Sequence, residues 1–351
     1  MNKTGRQLTD KEKIMFCSLV KYPTSNDREL SEITGINLST VTAIRRRLES
    51  LNYFYKIRIP MVQMIGAELL TIAYGEVDTT IPREKRNEMC DRYAREHDNI
   101  FLFFSSEDFA VQFSVSTNYT EVKKDVDDLQ HFLSKNKMLT SKSWQYVLFP
   151  FEVSSLINYF DFSYALNQMV CNSPYKVPDI DLKYRKYDKR VLSTKEKAAL
   201  LGLVSHPELP DNAIASKIGI SRQTLSNMRQ RFQEEGLIYY VNIPNLQMLD
   251  GILSFSHMLF NPDCMLEDRK NGIRLVLECS PIVFLVSGTF ESTLMHLLRD
   301  YDEFSALKNK LISYYASKKF LRGEGNIHLM PIKSLRMHKQ FEFEGMLKKL
   351  L

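Results

Sequence analysis

Apolar residues recur at intervals of three or four positions in the stretch 211–241, and this spacing predicts amphipathic helices. Leu225 and Phe232 lie on the same side of the longer predicted helix. Gly219 supplies the permissive backbone that a helix end needs, and Ser221 can cap the helix that follows. The pattern therefore predicts a short helix, a tight turn, a longer helix and the first strand of a wing.

The same pattern occurs again near the N-terminus. A shift of 184 residues aligns Leu8–Met64 with Leu192–Met248 without a gap, and 18 of the 57 positions are identical. In this first copy, Thr9 and Glu12 form a predicted capping box, and a turn at 35–37 separates the second and third helices. Self-similarity over this length indicates an internal duplication.

Beyond each of these segments, apolar runs predict four strands and two helices in the order βαββαβ. The clearest strand alternates apolar and polar residues from Phe109 to Val115. In the first half we expect strands at 66–77, 100–104, 109–115 and 143–149, helices at 82–97 and 122–133, and one trailing helix at 151–170. The second half repeats this plan, with strands at 252–260, 282–286, 293–298 and 326–331.

The predicted fold is therefore α+β, with two repeats of a winged helix-turn-helix followed by a ferredoxin-like βαββαβ domain. A length of 351 residues suits several domains. The predicted boundaries are 1–60 for the first winged helix, 61–171 for the first βαββαβ domain and its trailing helix, 172–190 for a basic linker, 191–244 for the second winged helix, and 245–351 for the second βαββαβ domain and its C-terminal helix.

Composition excludes several classes of function. With 44% hydrophobic and 25% charged residues, and without a transmembrane run or signal peptide, we expect a cytoplasmic globular protein. The five cysteines are scattered and predict reduced, buried thiols. The seven histidines lack ligand spacing, and motifs for nucleotide binding or hydrolysis are missing, so neither a metal nor a cofactor is expected.

The polar sides of the longer helices carry the residues that we predict to contact DNA. Asn and Gln can pair with adenine in the major groove, and neighbouring arginines can reach phosphates. Residues 1–60 carry 11 basic and 6 acidic side chains, whereas residues 61–171 carry 10 basic and 16 acidic side chains. The positive charge therefore lies on the first predicted helix-turn-helix. The predicted DNA-binding residues are Ser39, Thr40, Thr42, Arg45, Arg46, Arg47, Arg222, Gln223, Thr224, Ser226, Asn227, Gln230 and Arg231.

The second copy, Ile-Ala-x-x-Ile-Gly-Ile-Ser-x-x-Thr-Leu-Ser followed by Arg-Phe-x-x-Glu-Gly-Leu-Ile, resembles the Lrp/AsnC family of prokaryotic transcription regulators. The resemblance implies a winged helix joined to a βαββαβ regulatory domain of the RAM type, dimers formed through those domains, and a small effector bound near the loop between their second and third strands. In this chain the loops supply Ser106 and Asp108 in the first copy, and Gly288 and Glu291 in the second. The family's glycine is present as Gly288 and replaced by Ser106.

The presence of two predicted DNA-binding helix-turn-helix segments in one chain predicts a sequence-specific regulator of double-stranded DNA. We expect it to act as a fused pseudo-dimer and not as an enzyme. Recognition helices about 34–36 Å apart would enter successive major grooves. A further homodimer through the βαββαβ domains stays open.

Two other functions also stay open. Sirohaem decarboxylases are similar in arrangement, but they carry a His/Tyr/Arg-rich strand segment where this chain has Ile100–Phe104, with only His97 nearby. A winged-helix adaptor that binds proteins would fit the acidic stretch 61–171 beside the basic stretch 1–60.

Overall fold

Two runs of elements in the same order make up the chain. The computed structural model describes residues 8–171, 187–323 and 325–351. The first run is α1 (Asp10–Lys21), α2 (Asp27–Thr34), α3 (Leu38–Ser50), β1 (Phe54–Pro60), β2 (Leu69–Glu76), α4 (Arg83–Glu96), β3 (Ile100–Ser105), β4 (Phe109–Ser116), α5 (Tyr119–Lys135), β5 (Gln145–Pro150), β6 (Ser155–Tyr159) and α6 (Ser163–Val170). The second run is α7 (Thr194–Ser205), α8 (Asp211–Ile218), α9 (Arg222–Glu234), β7 (Ile238–Pro244), β8 (Ile252–Leu259), α10 (Leu266–Cys279), β9 (Ile282–Ser287), β10 (Glu291–Leu298), α11 (Tyr301–Ser317), β11 (Asn326–Pro331), β12 (Arg336–Gln340) and α12 (Glu344–Leu350).

Capping interactions and a turn glycine lie at the helix ends where the sequence predicts them. The Thr9 side chain accepts a hydrogen bond from the Glu12 amide, and the Glu12 carboxylate accepts one from the Thr9 amide at 2.8 Å. Ser221 caps α9 by accepting a bond from the Thr224 amide at 3.1 Å. Gly219 ends α8 with a φ of 72°, in the left-handed region that glycine adopts without strain. The predicted capping box, cap and turn glycine are confirmed.

The first βαββαβ run forms a ferredoxin-like sheet in the order β5-β2-β4-β3, with neighbouring strands antiparallel. Helices α4 and α5 cover one side of this sheet. Their residues Tyr93 and Leu129 belong to the same buried cluster as Ala73 and Phe103 of the sheet. Burial of this apolar surface is the main stabilising term for such a layer.

The second βαββαβ run forms a sheet in the equivalent order β11-β8-β10-β9. Helices α10 and α11 contribute Val276 and Leu311 to a buried cluster that includes Leu285 and Leu294 of the sheet. The α+β class and the ferredoxin-like sheets predicted from the sequence are confirmed.

Each sheet is extended to five strands by a strand from the other half of the chain. Strand β12 pairs antiparallel with β3, with Met337 opposite Phe104. Strand β6 pairs antiparallel with β9, with Leu156 opposite Val286. The strand exchange therefore covers what would otherwise be an exposed edge of each ferredoxin-like sheet.

This exchange divides the chain into two compact units. One unit contains the described residues of Met1–Lys56, Ser155–Lys183 and Val241–Lys333. The other contains those of Ile57–Ser154 and Tyr184–Tyr240, together with Ser334–Leu351. Each unit thus combines a three-helix segment from one half with a sheet from the other half.

Strands β1 and β7 pair with each other, and one side chain of each donates a hydrogen bond to the first helix of the opposite half. Asn242 of β7 donates from its side-chain amide to the Leu19 carbonyl of α1 at 2.7 Å. Arg58 of β1 donates to the Leu203 carbonyl of α7 at 2.9 Å. Burial lowers the pKa of the Arg58 guanidinium. Because the 184-residue shift matches Arg58 with Asn242, the two contacts occupy corresponding positions.

The segment 151–170 differs from the single helix expected there. It forms the short strand β6 and then α6, because Phe160 adopts a left-handed turn with a φ of 59° between them. The expected linker 172–190 lies outside the described residues except for Tyr187–Arg190. Within the described residues no helix is long and apolar enough to cross a membrane.

His296 is a buried histidine in β10, on the side of the second sheet that faces α10 and α11. Its Nδ1 atom is 3.1 Å from the Ser254 hydroxyl, and its Nε2 atom has no hydrogen-bond partner within the described residues. Burial lowers the pKa of His296 to about 3. The folded protein therefore holds this imidazole neutral.

We predict that His296 makes the folded state less stable as the pH falls. Between the ordinary pKa of 6.5 and about 3, the unfolded chain binds this proton and the folded chain does not. The stability from this group is complete above pH 6.5 and is lost by about 1.4 kcal/mol per pH unit below it. Denaturant unfolding of His296→Leu from pH 7 to 5 should show a shallower pH dependence than the parent. Exposed His131→Gln should keep the parent slope, and an unchanged slope in His296→Leu would contradict the prediction.

Candidate functional site

Two of the three arginines in α3 are held within their own three-helix segment. The Arg45 guanidinium lies 2.6 Å from the Asp27 carboxylate and donates to the Ser25 carbonyl at 2.7 Å. Arg47 forms an ion pair with the buried carboxylate of Glu12 on α1. These arginines therefore fasten α3 to α1 and α2.

The same two ion pairs occur in the second three-helix segment. Arg229 of α9 lies 2.9 Å from Asp211 of α8, and Arg231 forms an ion pair with Glu196 of α7. Both arginines and both carboxylates are matched by the 184-residue shift with their first-half counterparts. The repeated charges thus act in the packing of the helices, and contact of these arginines with DNA stays a prediction.

Most residues on the exposed sides of α3 and α9 differ between the two copies. Ser39 and Arg46 are exposed on α3, whereas Thr42 is half-buried and donates to Asp27 at 2.6 Å. On α9 the exposed amides pair along the helix, Gln223 with Asn227 at 2.9 Å and Gln230 with Glu234 at 2.8 Å. Arg222 is exposed as well, while Thr40, Thr224 and Ser226 are half-buried.

We predict that Arg45→Ala lowers the free energy of unfolding by about 1–2 kcal/mol, because it removes a mostly buried ion pair and a hydrogen bond. The neighbouring substitution Arg46→Ala should change it by less than about 0.5 kcal/mol. Urea unfolding of both variants measures the difference. The double variant Arg45→Ala/Asp27→Ala should lose less free energy of unfolding than the two single variants lose together. Equal effects of Arg45→Ala and Arg46→Ala would contradict a stabilising role of the Arg45–Asp27 ion pair.

In each loop expected to bind an effector, a buried arginine donates hydrogen bonds to the loop carbonyls. In the first sheet Arg86 of α4 donates to the Glu107 carbonyl at 2.5 Å. Ser106 is buried, and both its amide, at 2.7 Å, and its hydroxyl, at 3.4 Å, donate to the Phe109 carbonyl. Asp108 is exposed. The Ser106 hydroxyl is therefore engaged within the loop.

The second loop has a corresponding arginine. Arg269 of α10 donates to the Gly288 carbonyl at 2.5 Å and to the Thr289 carbonyl. The Gly288 amide donates to the Glu291 carbonyl at 2.8 Å, and the Glu291 carboxylate lies 3.1 Å from His257 Nε2. Both loops are thus closed turns, and the role of their residues in effector binding stays a prediction.

A second group of ionisable residues, which the sequence did not indicate, lies where β12 meets β3 and α4. His338 Nε2 is 2.8 Å from the Ser105 hydroxyl, and His338 Nδ1 is 2.7 Å from the Asp91 carboxylate. The other oxygen of Asp91 accepts a bond from Arg336 at 2.9 Å. These four residues, Ser105, His338, Asp91 and Arg336, are called the His338 network below.

A β-bulge places His338 in this network. The register of β12 against β3 shifts between Met337 and Lys339, so His338 is the extra residue, and a bulge redirects a side chain. The His338 side chain is fully buried, whereas Arg336 is half exposed. Burial lowers the pKa of His338, although the hydrogen bond and charge of Asp91 act to raise it. Burial acts to raise the pKa of Asp91, but the hydrogen bonds from His338 and Arg336 outweigh burial, so the pKa of Asp91 is lowered. A neutral imidazole therefore lies between a hydroxyl and a carboxylate.

The network continues along β12 through a buried lysine. Lys339 donates to the Ala94 carbonyl at 3.1 Å and to the His97 carbonyl at 3.0 Å, at the C-terminal end of α4. A cation at this position is favourable because the last helix carbonyls lack intrahelical partners. The corresponding bulge of β6 contains Ile157, so only one of the two sheets carries a histidine there.

These residues were missed because they lie more than 200 positions apart from their partners in sequence. The only available signal was the short basic run Arg336-Met337-His338-Lys339 before an apolar segment. Within the described residues no group of three His, Cys, Asp or Glu side chains could hold a metal ion.

No family model matches the chain, and no curated protein matches it. Among solved structures, the chain is similar to the sirohaem decarboxylase NirDL, with 11% identity, a TM-score of 0.52, and coverage of 97% of this chain and 98% of that one. A second structure of NirDL, in complex with an iron-uroporphyrin III analogue, has 12% identity, a TM-score of 0.51 and the same coverage. At this identity the likeness concerns the fold.

Partial matches extend to regulators. An AsnC family transcriptional regulator from Agrobacterium tumefaciens has 16% identity and a TM-score of 0.31, and covers 40% of this chain and 89% of that one. The element order that the Lrp/AsnC resemblance implies, three helices and a strand followed by βαββαβ, is present in both halves.

The prediction that the chain is not an enzyme is wrong, because the fold that matches over 97% of the chain is that of a solved enzyme.

Proposed function

We propose that this chain is an enzyme of the sirohaem-decarboxylase type, which removes carbon dioxide from carboxylate side chains of an iron tetrapyrrole. The likeness of the whole chain to NirDL, including a structure of NirDL with an iron-uroporphyrin III analogue, supports this proposal. The observation that carries it in this chain is the His338 network beside β3.

The network supplies the residue types that the sequence of β3 lacks. Strand β3 itself is apolar and fully buried from Ile100 to Phe104. The strand paired with it, β12, brings Arg336, His338 and Lys339 alongside it. In our proposal, β12 therefore takes the place of the His/Tyr/Arg-rich strand segment of sirohaem decarboxylases.

Decarboxylation needs two functions that these residues can perform. The substrate carboxylate must be bound, and the half-exposed guanidinium of Arg336 is suited to pair with it. When carbon dioxide leaves, its bonding electrons stay on carbon, which must then accept a proton. In our proposal His338 relays that proton, while Asp91 fixes its ring and tautomer.

We predict that the purified chain binds iron uroporphyrin III with a shift of its main absorption band, and releases carbon dioxide from sirohaem under reducing, anaerobic conditions. His338→Gln should lower the turnover rate by about 10²–10⁴-fold, as expected for loss of a proton-transfer group. Arg336→Ala should raise KM more than it lowers kcat, because it removes a binding charge. Product mass, lower by one or more carbon dioxide units, measures the reaction.

Exposed His131→Gln is the matched control and should retain full activity. Circular dichroism of each variant separates loss of activity from loss of folding. Binding without turnover would limit the function to tetrapyrrole binding, and absence of both would reject the enzyme proposal. Equal activity of His338→Gln and the parent would reject the role of His338 alone.

We propose binding of double-stranded DNA as a second candidate function, because one observation favours it. The two copies of the helix-turn-helix keep their ion-paired arginines and differ on the exposed sides of α3 and α9. Two recognition helices with different exposed residues are the pattern expected of a protein that binds two unlike half-sites. Arg46 and the amides Gln223 and Gln230 would then read base edges.

Selection of bound duplexes from a random library tests this candidate. We expect two unlike half-sites, with Arg46→Ala and Gln230→Ala each relaxing the preference in a different one. Arg45→Ala removes the same charge as Arg46→Ala, and it should lower DNA binding only because it makes the folded protein less stable. Equal loss on all sequences in both variants would contradict specific reading, and salt-independent capture of a protein would favour the adaptor function instead.

A further inference from the structure

Two cysteines that are far apart in the sequence have their sulfur atoms in contact. Cys17 Sγ of α1 lies 3.0 Å from Cys171 Sγ, at the C-terminal end of α6. Both are thiols, and both belong to the same compact unit. Cys17 is buried and also approaches the Leu166 carbonyl at 3.9 Å, whereas Cys171 is partly exposed.

The two thiols have opposite tendencies to ionise. The hydrogen bond between the two sulfur atoms lowers the pKa of Cys171, and the positive charge of Lys13 acts in the same direction. The hydrogen bond to Cys171 raises the pKa of Cys17, and burial raises it further. The partly exposed sulfur is therefore the better nucleophile, and the buried one is positioned behind it.

The pair is specific to one of the two three-helix segments. The position that matches Cys17 in α7 is Leu201. In the second unit α7 contacts α12 instead through Lys197, whose ammonium donates to the Leu351 carbonyl. Of the other cysteines with described side chains, Cys90 is buried in the first sheet's core and Cys264 precedes α10.

We propose that Cys17 and Cys171 form a reversible disulfide on exposure to a peroxide, and that this bond fastens the first three-helix segment to α6. The Cys171 thiolate attacks one peroxide oxygen, which yields a sulfenic acid and releases hydroxide. The Cys17 sulfur then attacks the sulfenic sulfur and loses its proton, and the oxygen leaves as water. Two thiols and one hydrogen peroxide thus give one disulfide and two waters.

The bond would fix a contact on which the position of α3 depends. Helix α1 carries Glu12, the ion-pair partner of Arg47 on α3. Helix α6 follows β6, the strand exchanged into the second sheet. A covalent bond between α1 and α6 would therefore tie the first candidate reading helix to the exchanged strand, whichever function the chain performs.

Treatment of the purified chain with hydrogen peroxide, with quenching of remaining thiols, tests the proposal. We expect two fewer blocked thiols than in the untreated protein, and a crosslinked peptide containing Cys17 and Cys171. The bond closes a 154-residue separation, so the denatured chain should migrate faster in a non-reducing gel and return to its normal position with dithiothreitol. Hydrogen exchange in α1 and α6 should be slower in the oxidised protein.

Cys171→Ser, at the partly exposed end of the pair, should abolish the fast-migrating form without unfolding the chain. Cys264→Ser is the matched control and should form it to the same extent as the parent. Crosslinks that join either cysteine to a different partner would overturn the proposal. So would stable sulfenic or sulfinic acid at Cys171 with Cys17 still reduced.

Discussion

Backbone hydrogen bonding between β12 and β3, and between β6 and β9, is the interaction on which the remaining structure depends. Each of these short strands pairs with a sheet formed by the other half of the chain. Without them, β3 and β9 would present unpaired amides and carbonyls at a sheet edge. The exchange also fixes where α6 and α12 lie, because each follows directly from its strand.

The same exchange makes the two units chemically different. Both exchanged strands have a bulge, and the bulged residue is His338 in β12 but Ile157 in β6. The imidazole requires polar partners because a buried unsatisfied nitrogen is costly, and Ser105 and Asp91 provide them. The thiol pair at Cys17 and Cys171 belongs to the other unit. Within the described residues, each unit thus contains a side-chain cluster that the other lacks.

Local signals predicted much of the fold, whereas long-range pairing set the candidate site. The capping box at Thr9 and the turn at Gly219 depend on neighbouring residues, so the sequence indicated them correctly. Strands β6 and β12 are short, with mixed polar and apolar residues, and their partners lie in the opposite half. The ion pairs of Arg45 and Arg47 could not be predicted in this way, because their acidic partners lie on other helices. Contact of these two arginines with phosphates stays a prediction.

The titration of His338, followed by nuclear magnetic resonance of its imidazole, tests this account most directly. A buried, neutral ring between Ser105 and Asp91 requires β12 to pair with β3 in the bulged register. For this ring we expect a pKa below the ordinary 6.5, a single tautomer protonated on Nδ1 toward Asp91, and a further decrease of the pKa in Asp91→Asn. An imidazole that titrates at the ordinary pKa, and does not respond to Asp91→Asn, would contradict both the strand exchange and the site built on it.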